Sequence, residues 1–329
     1  MITKKDIAEK LGVSRTTVSM VLNRKPDARI SEETAQRVLA MARKLGYKEQ
    51  SDMETQSLIC YVLCNRGLDR TNYFEGLRIL ETVASELGFR VIFTTVDHNE
   101  DTFDRLKNLL TTPGVKGAVL AGEFNRSIVN LIKSWNVPFV ANGITDIDGI
   151  NLVFPDHHLA GYKAADFLVG LGHTRIAFFT GELHKLTHNR IMEGYRAALE
   201  AHNILYDPSL IQVSSLERGD DLIQRTKKLG IQYTAIIAAN EQMGIDALTE
   251  LKAEGRSVPE EISIIAIGGG TLGIQYRPKL SVMMCKENAI AETLIDMLER
   301  NINNYNLDPQ KEVIETILVD RESTGPCPT

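Results

Sequence analysis

The sequence predicts an α/β protein in two parts: a three-helix helix-turn-helix head, then a long two-lobed, doubly wound α/β core. Three observations predict it. Residues 1–50 are basic, at +5, while the remaining 279 residues carry −11 of the overall −6. Within the head, apolar residues recur at helical spacing in three short runs separated by a Gly and a Pro. Beyond residue 57, short apolar strand-like runs alternate with amphipathic helical runs, the pattern of parallel sheets covered on both faces. Some 270 residues of such alternation are long for one doubly wound unit, so two lobes with a cleft between them are expected.

Composition limits the alternatives. With 43% hydrophobic and 24% charged residues, the 329-residue chain is an ordinary globular one, which excludes disorder and disulfide miniproteins. No apolar run approaches the roughly 18 residues a membrane span needs. The N-terminus has no apolar signal core, so a cytoplasmic location is expected. Cys60, Cys64, Cys285 and Cys327 lack metal-ligand spacing, and the first two fall in or just after a strand-like run, as buried thiols. A basic head on an acidic body suggests that the head meets an anion.

The head resolves into elements in order. Thr3 can cap a helix from Lys4 to Leu11, with Ile7, Ala8 and Leu11 on one face, and Gly12 breaks it. Ser14 can cap a second helix, Arg15 to about Leu22, with the stripe Val18, Val21 and Leu22. Two helices joined by a short Gly-containing turn make a helix-turn-helix. Ser31 can cap a third helix through Leu45, its stripe Ala35, Val38, Leu39, Ala42 and Leu45, with Gly46 as its stop. Arg15, Thr16, Thr17, Ser19 and Met20 are left on the outward face of the second helix.

In the core, strands are expected at 58–63, 90–95, 117–120, 139–141, 175–179, 235–238, 263–267 and 280–284, with helices between them, for example 73–87 and 161–171.

Asp6-Ile-Ala, Leu-Gly-Val-Ser14-x-x-Thr17-Val-Ser19-x-Val-Leu-Asn23 and Leu45-Gly-Tyr47 together resemble the DNA-binding head of the lactose/galactose-repressor family. The resemblance implies that Arg15, Thr16 and Met20 reach base edges in the major groove. Thr3, Ser14, Thr17, Ser19, Asn23 and Tyr47 fall at backbone-contact or supporting positions. Arg15 suits a bidentate contact to guanine, and Thr16 a polar edge or a thymine methyl, while hydroxyls and helix N-terminal amides set register on phosphates. Met20 stands where Arg is common, so it offers an apolar contact or none.

The core resembles the same family through Phe74-Glu-Gly76-Leu, Leu171-Gly-His173, Gly194-Tyr-x-x-Ala-Leu199, Thr234-Ala-Ile-x-Ala-Ala-Asn240, Pro259-Glu-Glu-Ile-Ser263 and Val319-Asp-Arg321-Glu-Ser323. The implied architecture is periplasmic-binding-protein-like, with three chain crossings between lobes. The implied division is a head at 1–47, a connector at 48–57 and a core at 58–329. Lobe 1 is then about 58–155 and 286–312, and lobe 2 about 156–285 and 313–329. The implied effector contacts are Phe74, Asp156, Arg190, Asn240 and Gly269. Here the sequence departs from sugar-binding relatives: Ile191 replaces an Arg, with Arg190 one position away, and Gly268-Gly269-Gly270 replaces a common Asp pair. A sugar leads the effector expectations, with a nucleoside, an amino acid or another small metabolite, or a protein co-regulator, as alternatives.

The connector departs too. Relatives carry a Pro-Asn segment and a short helix whose leucine wedges into the minor groove. Here Lys48 to Gln56 has no Pro and three acidic residues, and Met53 is its one apolar wedge. Little central kinking of the DNA is expected.

Enzymatic and cofactor readings find little support. His157-His158 lacks a second ligand cluster for a metal, and Gly268-Gly269-Gly270-Thr271 lacks the Walker lysine. The expected molecule is therefore a homodimeric, nucleoid-associated repressor on a near-palindromic operator, with a small-molecule effector and no cofactor, metal or membrane partner. No heptad tail follows Ser323, so a tetramer is not expected. The competing reading is a ligand-binding protein whose head no longer reads DNA.

Overall fold

A computed structural model of the chain describes residues 3–22, 30–45, 57–65, 71–97, 100–269, 271–303 and 308–328. The predicted contacts Asn23 and Tyr47, and the connector with Met53, lie outside the described residues.

The head contains helices α1 (Lys4–Leu11), α2 (Arg15–Leu22) and α3 (Glu32–Lys44). Their core is Ile7, Ala8, Val18, Val38 and Ala42, with Leu11, Val13, Val21, Leu22, Met41 and Leu45 packed around it. The α3 stripe differs from the expected one: Leu39 is 41% exposed, and Met41 packs instead. At 100° per residue, positions 38, 41, 42 and 45 share a narrow face, and Leu39 is turned off it.

The core consists of two six-stranded sheets. The first contains β1 (Ser57–Cys64), β2 (Phe89–Val96), β3 (Val115–Gly122), β4 (Phe139–Asn142), β5 (Leu152–Pro155) and β11 (Lys311–Ile314), in the order β11-β5-β4-β3-β1-β2. The second contains β6 (Ile176–Thr180), β7 (Ile211–Val213), β8 (Ala235–Ala238), β9 (Ser263–Gly268), β10 (Ser281–Cys285) and β12 (Thr316–Val319), in the order β12-β10-β9-β8-β6-β7. All neighbours are parallel except β10 and β12. Both sheets share one winding, with the first strand second from an edge, so the order reverses between β1 and β3 and between β6 and β8.

Among the described residues, eight helices cover the sheets: α4 (Thr71–Glu86), α5 (Glu100–Leu110), α6 (Arg126–Ser134), α7 (His157–Gly170), α8 (Leu186–Ala201), α9 (Gly219–Lys228), α10 (Glu241–Ala253) and α11 (Glu287–Asn303). Alternate residues of β1 show why its run is uninterrupted. Ile59, Tyr61 and Leu63 pack toward α4 and α11, while Cys60, Val62 and Cys64 pack toward α5 and α6. Burial pushes the thiols of Cys60, Cys64 and Cys285 up to about 12, which leaves them inert packing groups.

The chain crosses between sheets three times: after Pro155, after Cys285, and between Ile314 and Thr316. Helix α7 packs on the second sheet and α11 on the first, as these crossings require. Helix α7 starts four residues before the expected start, because the Asp156 side chain accepts the Leu159 N–H at 2.9 Å and caps it. Strands β5, β7, β11 and β12 had no periodic signal; each is three or four residues long. Among the described residues, no helix is long and apolar enough to cross a membrane.

Candidate nucleic-acid interface and interlobe cleft

The head presents one helix face to solvent. Thr3 and Asp6 form a reciprocal capping box on α1, with the Thr3 N–H donating to Asp6 Oδ2 at 2.7 Å. Gly12 ends α1 with φ +66, a left-handed conformation that lets the chain turn into α2. Ser14 Oγ accepts the Thr17 N–H at 2.9 Å and lies 2.8 Å from Thr17 Oγ1, which fixes the start of α2. Val18 is fully buried on the inner face, while Arg15, Thr16 and Met20 are exposed on the outer one. Thr17 and Ser19 are half-buried. The three residues expected at base edges thus share a surface, and Ser14 and Thr17 spend part of their hydrogen-bonding capacity holding the helix end.

The second surface lies between the lobes, where strand ends at the two reversal points face each other. Such a crevice, outside the carboxyl ends of parallel strands, is where doubly wound sheets place ligands. Lys185 joins the two sides: its ammonium stands 3.1 Å from Glu123 Oε1, just past β3, and 3.3 Å from Glu217 Oε1. Glu217 is nearly buried and held at φ +55, with Asn240 Nδ2 donating to its Oε2 at 3.5 Å. Asn65, just past β1, donates to the Glu123 carbonyl at 2.7 Å. A second contact joins the lobes on the other flank, where the Thr271 hydroxyl donates to Glu75 Oε2 at 2.5 Å.

The remaining predicted cleft residues divide. Asn240 sits in the crevice and also caps α10 by accepting the Met243 N–H at 2.8 Å. Gly269 lies beside Glu75, whose Oε2 would be 3.8 Å from a Cβ added there. Asp156 lies at the first crossing, its carboxylate engaged as the α7 cap and its N–H donating to the Ile314 carbonyl at 2.9 Å. Arg190 is exposed and pairs with Glu193 at 2.9 Å. Phe74 is exposed on the first turn of α4, its ring 6.3 Å from that of Phe93. The contacts of Arg190 and Phe74 therefore do not bring them to the Lys185 cluster.

Sequence reasoning missed Asn65, Glu75, Glu123, Lys185, Glu217 and Glu287. Asn65 and Glu123 could have been found by reading the residue after each strand. Lys185 and Glu217 lie in loops with no motif. Burial and the nearby Glu75 carboxylate push Glu287 up to about 7, while burial holds His157 down to about 4. Among the described residues, no group of three His, Cys, Asp or Glu side chains is arranged to hold a metal.

Residues 3–50 match the lacI family of bacterial regulatory proteins, and residues 165–324 match the periplasmic binding protein-like domain. An HTH-type transcriptional regulator of Lachnoclostridium phytofermentans is 26% identical over 97% of this chain and 98% of its own. The ribose operon repressor of Escherichia coli (strain K12) is 26% identical over 98% of this chain and 100% of its own. The lac repressor dimer bound to operator and the anti-inducer ONPF superimposes with a TM-score of 0.83, at 22% identity, covering 98% of this chain and 99% of that one. A lacI-type head and a periplasmic binding protein-like domain thus stand in one chain, the combination expected of the lactose/galactose-repressor family.

Proposed function

We propose that this regulator is a homodimeric repressor that reads a near-palindromic operator and is controlled by a small molecule in the interlobe cleft. One observation carries the DNA-reading half: Arg15, Thr16 and Met20 stand exposed on one face of a capped helix whose opposite face is sealed by Val18. One such helix makes few base contacts, so two heads on a two-fold axis supply the specificity. The face of α4 and the edge strand β2 suits a second copy, since Phe74, Leu77, Val91 and Phe93 line an apolar groove there, with Arg78 and Glu81 at its rim.

The effector half rests on the crevice geometry. A ligand that favours one separation of the lobes must replace or reinforce the Lys185 and Thr271 contacts, and it moves occupancy only by its differential affinity for the two states. Similar solved structures hold cellobiose in one regulator and ribose in another, which supports a small polar ligand here.

Selection of bound duplexes from a randomised library, at near-physiological salt and without added ligand, tests the reading. Enrichment of an inverted repeat is the expected result. Binding without sequence preference, with or without metabolites, would sink the repressor and leave a ligand-binding protein with a silent head.

A further inference from the structure

We propose that the interlobe cleft takes a small ligand bearing a protonated amine flanked by hydroxyl groups, the chemistry of an amino sugar. This rests on the effector reading above and narrows it. Two independent observations meet there.

The first is charge. Glu75, Glu123, Glu217, Glu241 and Glu287 stand at the strand ends and helix starts around the crevice. The Lys185 ammonium is shared between two of them, Glu123 and Glu217. Glu241 is nearly buried and accepts the Gly273 N–H at 2.8 Å. Glu287 stands beside Glu75: a Cβ on Gly76, the next residue, would lie 3.9 Å from Glu287 Oε2, and burial, with the Glu75 carboxylate, pushes the Glu287 carboxyl up. Neither has an ion pair among the described residues, and Glu75 has only the neutral Thr271 hydroxyl as a donor. Two facing carboxylates in a partly buried site favour a cation between them. The same field opposes a phosphate or carboxylate ligand, and a neutral sugar leaves the repulsion in place.

The second is unmet hydrogen bonding. Among the described residues, four buried side-chain polar atoms have no partner: Asn65 Oδ1, His157 Nδ1, Thr180 Oγ1 and Thr316 Oγ1. Three belong to residues at the carboxyl ends of β1, β5 and β6, the ends that border the crevice. Thr180 is fully buried, and it follows Ile176 and Phe178 on the strand face toward α7 and α8. Beyond that face lie His157 and His188 in the first turns of those helices. The next residue, Gly181, is packed so closely that an added Cβ would meet His188 at 2.2 Å and Glu217 at 2.9 Å. The orphaned atoms are therefore continuous with the Glu217–Lys185–Glu123 cluster. Buried polar groups are normally satisfied, and here each can accept a hydrogen bond. Hydroxyls on the ligand supply these donors while its ammonium lies between Glu75 and Glu287.

Calorimetric titration of the full-length protein at pH 7.5 tests this in matched series: glucosamine, galactosamine and mannosamine, each against its parent hexose and its N-acetyl derivative. At least one amine is expected to bind roughly tenfold or more tightly than both neutral counterparts, as a charge-assisted contact requires. Glu287→Gln should abolish that preference, with Glu75→Gln as the second variant should the first fail to fold. Thr180→Val should weaken amine and neutral sugar alike. Equal or weaker binding of every amine, or no binding by any, overturns the proposal. In that case a neutral or phosphorylated metabolite that binds and alters operator affinity leaves the effector reading intact, whereas a broad metabolite screen without any binder removes both.

Discussion

Lys185 Nζ lies 3.1 Å from Glu123 Oε1, so a residue of the second lobe is tied to the reversal point of the first. The same ammonium is 3.3 Å from Glu217, whose side chain is only 6% exposed. Removing it therefore does two things: it cuts a tie between lobes and leaves a buried carboxylate without its cation. Lys185→Ala is expected to lower unfolding stability by about 1–3 kcal/mol, between the surface and buried limits for such pairs. Glu123→Gln should cost less, since Glu123 is half-exposed. Denaturant titration of both variants and the double variant gives the coupling; equal costs would show that the cross-lobe pair, and not the burial of Glu217, carries the effect.

Arg15→Ala is expected to cost roughly 1–3 kcal/mol in operator binding and to relax one base position per half-site. Ser14→Ala acts differently. It removes the acceptor for the Thr17 N–H, so the head should lose about 1 kcal/mol of stability with its base preferences unchanged. Competition binding on a set of single-base operator variants separates the two. A uniform loss across all bases for Arg15→Ala would reassign that side chain to phosphate.

A close backbone approach between α7 and α8 explains the glycine of the Gly-Tyr motif. A Cβ on Gly194 would lie 1.9 Å from the His158 carbonyl oxygen, and one on Gly161 would lie 2.0 Å from that of Ile191. Both partners are helix backbone, so nothing flexible can yield, and α7 and α8 must separate. Gly194→Ala is expected to cost about 3 kcal/mol or more, the upper end for overpacking, visible as a lowered thermal midpoint. A change under 1 kcal/mol would mean that the two helices are held less tightly than their geometry states.

Motif and contact coincide more often in the scaffold than in the crevice. His173, Thr234, Ser263 and Ser323 came from four separate motifs, and the structure gathers them. His173 Nδ1 lies 2.9 Å from Thr234 Oγ1, its Nε2 3.1 Å from Ser263 Oγ, and Ser323 Oγ donates to the Ile264 carbonyl at 2.6 Å. A buried polar network tolerates few substitutes, so it leaves a recognisable pattern. The head was legible for a similar reason, because caps, a glycine turn and apolar stripes are local signals. Leu39 was misread because its apolar character does not reveal which way it faces. The crevice is less legible in the sequence: Lys185 and Glu217 meet only through the fold, 32 residues apart, and Arg190, one place from a motif position, pairs with Glu193. Short strands such as β7 and β12 take their shape from neighbours and not from their own periodicity.

Stability against pH carries a signature of the cleft. Glu287 is raised from 4.5 to about 7 in the folded protein, so its contribution is complete below pH 4.5 and is lost as pH climbs through 7. His157 is lowered from 6.5 to about 4, so its contribution is present above pH 6.5 and is lost as pH falls through 4. Between pH 4.5 and 6.5 the two slopes oppose each other. Relative to the parent chain, Glu287→Gln should therefore gain stability as pH rises from 4.5 to 7, reaching about 1–3 kcal/mol above pH 8. His157→Gln should show the reverse trend, with its relative gain at low pH. Thermal or urea unfolding of the three proteins from pH 4.5 to 8 measures both differences. A Glu287→Gln difference that stays constant across this range would show that the carboxyl titrates alike in the folded and unfolded chains, with no electrostatic cost held between Glu75 and Glu287.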